Sequence, residues 1–170
     1  MPVKGINKTL RALQKFGIEA EKSVEAITAG NAQDMALRAK SKAPVGVDGY
    51  LRNQINVGKV DDLNYEVLAN APYSGYVEFG TGTKVQVPPE MAEVAKSIQG
   101  GSAGSFKAGL EAIKEWCRKK GILEAAAYPI FMKILKYGIE AQPFLYPALV
   151  EQREVYLKDL KDELKRLSNE

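Results

Sequence analysis

The residues best suited to chemistry fall within one short stretch, Glu78-Phe79-Gly80-Thr81-Gly82-Thr83-Lys84. A glycine-rich run that ends in lysine can turn backbone N–H groups and an ammonium toward a phosphate. The spacing here does not fit. A phosphate loop of the Walker type needs four residues between its outer glycines, then Gly-Lys-Ser/Thr, with a strand before it and a helix after. In place of that helix, Lys84-Val85-Gln86-Val87-Pro88-Pro89 reads as an extended segment stiffened by its proline pair. Glu78 stands among Tyr73, Tyr76 and Phe79, a setting in which a half-buried carboxyl can serve as an acid. No second carboxylate lies beside it to complete an acid/base pair. We therefore read Glu78 as an acceptor for the N–H groups or hydroxyls of Gly80 to Thr83, fixing the loop.

The remaining reactive types are few. The chain has no histidine, which removes Ser-His-Asp and Cys-His machinery, imidazole bases and the common zinc sites. Its single cysteine, Cys117, lies between Trp116 and Arg118 in an amphipathic pattern, and reads as a buried structural thiol. No cofactor or metal is expected. Lys40, Lys42, Arg52, Lys59 and Lys84 are basic residues near Tyr50, but they are spread over helix, strand and loop without a nucleic-acid module. Lysine and arginine number 24 against 21 acids, and a net charge of +3 is too weak to argue for nucleic acid by itself.

The elements that must position these residues can be read from periodicity. Ile6, Leu10, Leu13, Gly17, Ala20, Val24 and Ile27 form one narrow stripe at helical spacing. Small residues in that stripe predict a close helical neighbour. A second helical segment restarts after Gly30 and ends at Ala43-Pro44. Turn formers over 44–49 lead into a hairpin expected over residues 50–60 and 64–70, where apolar and polar residues alternate. Residues 73–84 suit one helical turn opening into a loop. Residues 90–142 read as a helical insertion: a helix over 91–98, a flexible linker over 99–105, a helix over 106–120 ended by Gly121, and another over 125–135 stopped by Gly138. A last helix covers 147–168, with Leu149, Val155/Tyr156, Leu160, Leu164 and Leu167 on one side and closely mixed charges elsewhere. With 170 residues this is a single domain, 1–170, able to bury its own core. The N-terminus lacks the apolar run of a signal peptide. No stretch approaches the roughly 18 consecutive apolar residues of a membrane span, so no membrane partner is expected.

Three motifs in order carry a resemblance: Gly49-Tyr50-Leu51-Arg52-Asn53-Gln54-Ile55 after Ala43-Pro44, then Tyr76-Val77-Glu78-Phe79-Gly80-Thr81, then Pro143-Phe144-Leu145-Tyr146-Pro147-Ala148. From about residue 8 to 165 the chain resembles the tail-completion or neck proteins of long-tailed bacteriophages, a family that includes the minor tail protein Z of phage lambda. The resemblance implies an α+β fold, with long N- and C-terminal helices packed on a small antiparallel β-sheet. It implies a non-enzymatic virion protein at the head-tail junction, assembled in the bacterial host cytoplasm. Such a protein forms a homo-oligomeric ring, six-fold to match the tail. It touches other neck, connector and tail-tube or tail-terminator proteins, with genomic DNA passing non-specifically through the lumen. The insertion over 90–142 exceeds the minimal pattern. On this reading the assembly candidates are Tyr76, Glu78, Phe79, Gly80, Thr81 and Lys84 in a subunit- or tail-facing loop, with Pro143, Phe144 and Pro147 anchoring the last helix. The alternative is a small DNA-binding protein of a mobile element.

Overall fold

The computed structural model describes residues 6–46, 48–99 and 106–168. Helix α1, Ile6–Lys42, runs unbroken for 37 residues, about 55 Å at the usual helical rise. The break expected after Gly30 does not occur. Val24, Ile27, Asn31 and Met35 continue one partly buried face through that point, and such packing outweighs the roughly 1 kcal/mol that a helical glycine costs. The helix does end at Ala43-Pro44, as expected. Arg52 then donates from Nε to the Ala43 carbonyl at 2.9 Å, satisfying an acceptor at the helix end.

Residues Tyr50–Asn53 form one helical turn, α2, where a strand was expected. Gly49, at φ +65°, swings the chain into it, and the N–H groups of Asn53 and Gln54 close on the carbonyls of Gly49 and Tyr50. The hairpin is therefore shorter: β1, Ile55–Asp61, pairs antiparallel with β2, Asn64–Ala69, in the register Ile55 to Ala69 and Val57 to Val67. Its alternation buries Ile55 and packs the half-buried Val57, Val67 and Ala69 against the same core. Helix α3, Ser74–Phe79, follows, and after it come α4, Ala92–Gln99, α5, Phe106–Lys120, α6, Ala127–Tyr137, and α7, Leu145–Ser168. Residues 100–105 of the expected linker lie outside the described residues.

Helix α7 packs antiparallel along α1. The small-residue seam lies further along α1 than the sequence pattern placed it. Gly17 meets nothing within 4 Å of a built Cβ, whereas Ala36, Ala39 and Ala43 are buried with Ala148 in the core. The side chains of Ile6 and Leu10 lie outside those described. Between Thr28 and Arg38 the seam is polar. Arg38 donates to Gln152 at 2.7 Å, Gln152 to Asn31 at 2.6 Å, and Asn31 to Asp159 at 3.0 Å. A cation and a carboxylate thus close a chain of two aligned amides. On α7, Leu167 is buried, but Leu149 and Leu164 of the expected apolar side are exposed.

A smaller apolar cluster joins α5 and α6, in which Cys117, Ala127 and Phe131 are buried, so the thiol is structural as expected. Gly109 lets the Phe131 ring approach, since a Cβ there would stand 2.8 Å from it, and Phe106 meets the same ring edge-on at 5.0 Å. Gly121, at φ +68°, ends α5. The N–H of Ile122 bonds back to Cys117 and that of Gly121 to Arg118, so two of the last four carbonyls are satisfied.

Candidate assembly site

Two sequence motifs separated by about sixty residues meet at the start of α7. Phe144 is the residue before that helix, and it is fully buried against Ile55, Leu51 and the alanines of α1. A helix start leaves its first N–H groups without partners. Here Pro143 and Pro147 carry no N–H, and the three that lie between them all go to one carboxylate. Glu78 accepts from Phe144 and Leu145 at Oε2, at 2.8 and 2.9 Å, and from Tyr146 at Oε1, at 2.8 Å. Glu78 is 5% exposed. Its charge is held by these N–H groups and by the positive end of a 24-residue helix. The expected donors, Gly80 to Thr83, are not its partners. Their geometry turns them toward a different segment.

That segment is 137–141. The Thr81 N–H donates to the Ile139 carbonyl at 2.9 Å, and the Ile139 N–H returns to Thr81 Oγ1 at 2.8 Å. Thr83 Oγ1 donates to the Tyr137 carbonyl at 3.0 Å, and the Gln142 N–H to the Val77 carbonyl at 2.8 Å. Backbones come this close only because glycines allow it. Gly138, at φ +77°, would place a Cβ 1.8 Å from the Thr81 oxygen, and Gly80, at φ +75°, would place one 2.5 Å from the Lys84 oxygen. The loop's N–H groups at Thr81 and Lys84 are spent on protein carbonyls, so this is a latch and not a phosphate cradle.

Of the candidate residues, Glu78, Phe79, Gly80 and Phe144 are buried within the chain, Tyr76, Thr81 and Pro147 are half-buried, and Lys84 and Pro143 are exposed. Lys84 takes no part in the hydrogen bonding around Glu78 and closes only a short 3₁₀ turn through its backbone. A surface hollow of about 250 Å³ lies between Phe79, Val87, Pro88, Pro143 and Tyr146. One contributor was not legible in the sequence. The Tyr146 hydroxyl donates to Glu90, which holds the Glu90 carboxyl below its ordinary range and raises the phenol. Tyr146 thereby ties the start of α7 both to α3 and to the segment before α4. Nothing in its local pattern pointed to Glu90. With its oxygens engaged inside the fold, Glu78 is placed for holding segments together and not for proton transfer to a bound molecule.

Residues 7–80 match a family model, HK97-gp10-like, described as "Bacteriophage HK97-gp10, putative tail-component". The match runs from α1 through α3, includes Glu78, and stops before the residues that Glu78 binds. Over that stretch, under half of the chain's 170 residues, the sequence is similar to this family. No curated protein and no solved structure matches.

Proposed function

We propose that this chain is a structural protein of the bacteriophage head-tail junction, a neck or tail-completion component that forms a ring through which DNA passes. The observation that carries this reading is the match of residues 7–80 to a phage tail-component family. The surface supports it. Leu13 is 61% exposed with Phe16 on the same side of α1, Ile18 is exposed on another side, and Val150, Leu157 and Leu164 recur at seven-residue spacing on the face of α7 turned away from α1. An apolar groove also runs between β2, α1 and α7. It has two lobes of about 290 and 340 Å³ that share Met35, Val67 and Leu149. Surfaces of this kind belong to proteins that complete their burial in an assembly. Six-fold symmetry, neighbours among connector and tail-tube or tail-terminator proteins, kinship with lambda minor tail protein Z, assembly in the host cytoplasm and residence in the virion are parts of the same proposal. Within it, the latch and Glu78 act by presenting the loop and the start of α7 in a fixed geometry, with Lys84 and Pro143 at the contact surface.

Light scattering across concentrations, followed by electron microscopy of the largest species, tests the reading. The expected result is a closed particle whose mass is a multiple of 18.6 kDa. A monomer at every concentration, together with absence of the chain from purified phage particles by mass spectrometry, overturns it.

A further inference from the structure

We infer that the α5–α6 hairpin is a docking surface for the phosphate backbone of duplex DNA. Over residues 106–137 there are seven bases and three acids, a net of +4, and since the whole chain carries +3 the remainder carries −1. The hairpin thus carries more net positive charge than the whole chain, and it shares its basic character with α1, whose seven bases and four acids give +3. All three acids of the hairpin are consumed locally. Glu111 and Glu124 face Lys114 at 2.9 and 3.8 Å, and Glu115 faces Lys119 at 3.2 Å. Lys107, Arg118, Lys120, Lys133 and Lys136 are exposed, with no carboxylate in ion-pair range among the described residues. Helix-dipole compensation accounts for the basic last turn of α5 and for Lys136 in the last turn of α6, but not for Lys107 or Lys133.

The distribution selects the partner. From Lys107 to Lys120 the charges extend over about 20 Å of helix and converge on no single point, so they do not form a site for one phosphate or carboxylate. An extended polyanion fits. Duplex DNA offers one charge per roughly 1.7 Å of its axis, and each neutralised phosphate releases counterions. The mixed-charge face of α7 forms a contrast. There Glu163 pairs with Arg166 at 2.8 Å, and bases and acids are interleaved. Where the proposed ring encloses DNA, this inference names the surface that faces it and to that extent rests on that reading.

The full chain also provides its own reporter, because its single tryptophan, Trp116, lies on α5 and is 41% exposed. The experiment titrates random-sequence duplex DNA against Trp116 fluorescence at several salt concentrations. It compares the native chain, a quadruple variant Arg118→Gln, Lys120→Gln, Lys133→Gln and Lys136→Gln, and a control with the same charge change, Lys15→Gln, Lys22→Gln, Lys158→Gln and Lys161→Gln. Thermal melts check that all three fold. We expect the hairpin variant to bind about tenfold more weakly or worse and to lower the salt slope by about 1 per residue, with the control near native. Equal loss in the control, no binding by the native chain at about 50 mM salt, or binding to anionic lipid vesicles but not to DNA overturns the inference. Light scattering on the same samples separates the two proposals. Rings that ignore DNA sink this inference alone, and a monomer whose DNA binding depends on the hairpin, in a chain absent from purified phage particles, sinks the proposed function alone.

Discussion

Glu78 shows how one residue can define a motif whose two halves lie far apart in sequence. The segment Pro143-Phe144-Leu145-Tyr146-Pro147 contains three N–H groups, and all three bind its carboxylate. Glu78→Gln keeps the size but replaces one acceptor oxygen with an NH₂ that must face donors. A buried hydrogen bond to a charged group contributes roughly 1.5–3 kcal/mol, so the variant should lose about 3 kcal/mol in urea unfolding. An unchanged midpoint would show that the carboxylate does not hold α7. That Glu78 accepts hydrogen bonds inside the fold, and that Phe144 anchors the start of the last helix, was legible in the sequence. The partner of Glu78 was not, because local reasoning reaches a few residues, and its donors lie 66 to 68 positions on.

Among the elements, the α1–α7 pair is fixed in register by hydrogen bonds rather than by bulk. Gln152 is 3% exposed and bridges Arg38 to Asn31. Gln152→Leu would pack well yet leave both neighbours short of a partner, at an expected cost of about 2 kcal/mol, measured by the shift of the thermal or urea transition. Stability equal to native would mean that solvent replaces the bridge. Periodicity revealed α7, the helical character of both parts of α1 and its end at Ala43-Pro44, since those signals are local, but it divided α1 at Gly30. It misplaced the seam, because whether Gly17 or Ala39 meets a neighbour depends on where α7 lies. It also read Leu51 and Asn53 as strand: a period of two over so few residues cannot oppose the turn that Gly49 imposes through its positive φ.

At the scale of the whole molecule, the core is small and rich in alanine. Among the described residues the largest side chains that are fully buried are Phe144, Ile55 and Cys117, while Leu157 and Leu164 lie open on α7. If burial is completed between copies, mass action requires the melting temperature to rise with protein concentration. Leu157→Glu should remove that rise while leaving the melting temperature at high dilution within the small range of surface substitutions, about 0.5 kcal/mol. A melting temperature independent of concentration in the native chain would show that these faces stay uncovered in solution. Composition and the absence of histidine pointed to surfaces over catalysis, but which surfaces are open depends on packing that no single segment records.

The latch between Thr81 and Ile139 has one more consequence. The chain leaves the main body after Gly80 and re-enters it by Gln142, and the two crossings are already hydrogen-bonded to each other. Between them, Glu90 and α4 are tied back to Tyr146 and α3, and the α5–α6 hairpin meets the body at the latch. Doubling the length of such an excursion costs only about 0.6 kcal/mol in closure entropy. The family match ends at Gly80, at the first crossing. A lineage could therefore enlarge, trim or re-charge what hangs beyond it while the clamp on α7 stays as it is, adapting the same frame to a different cargo or neighbour.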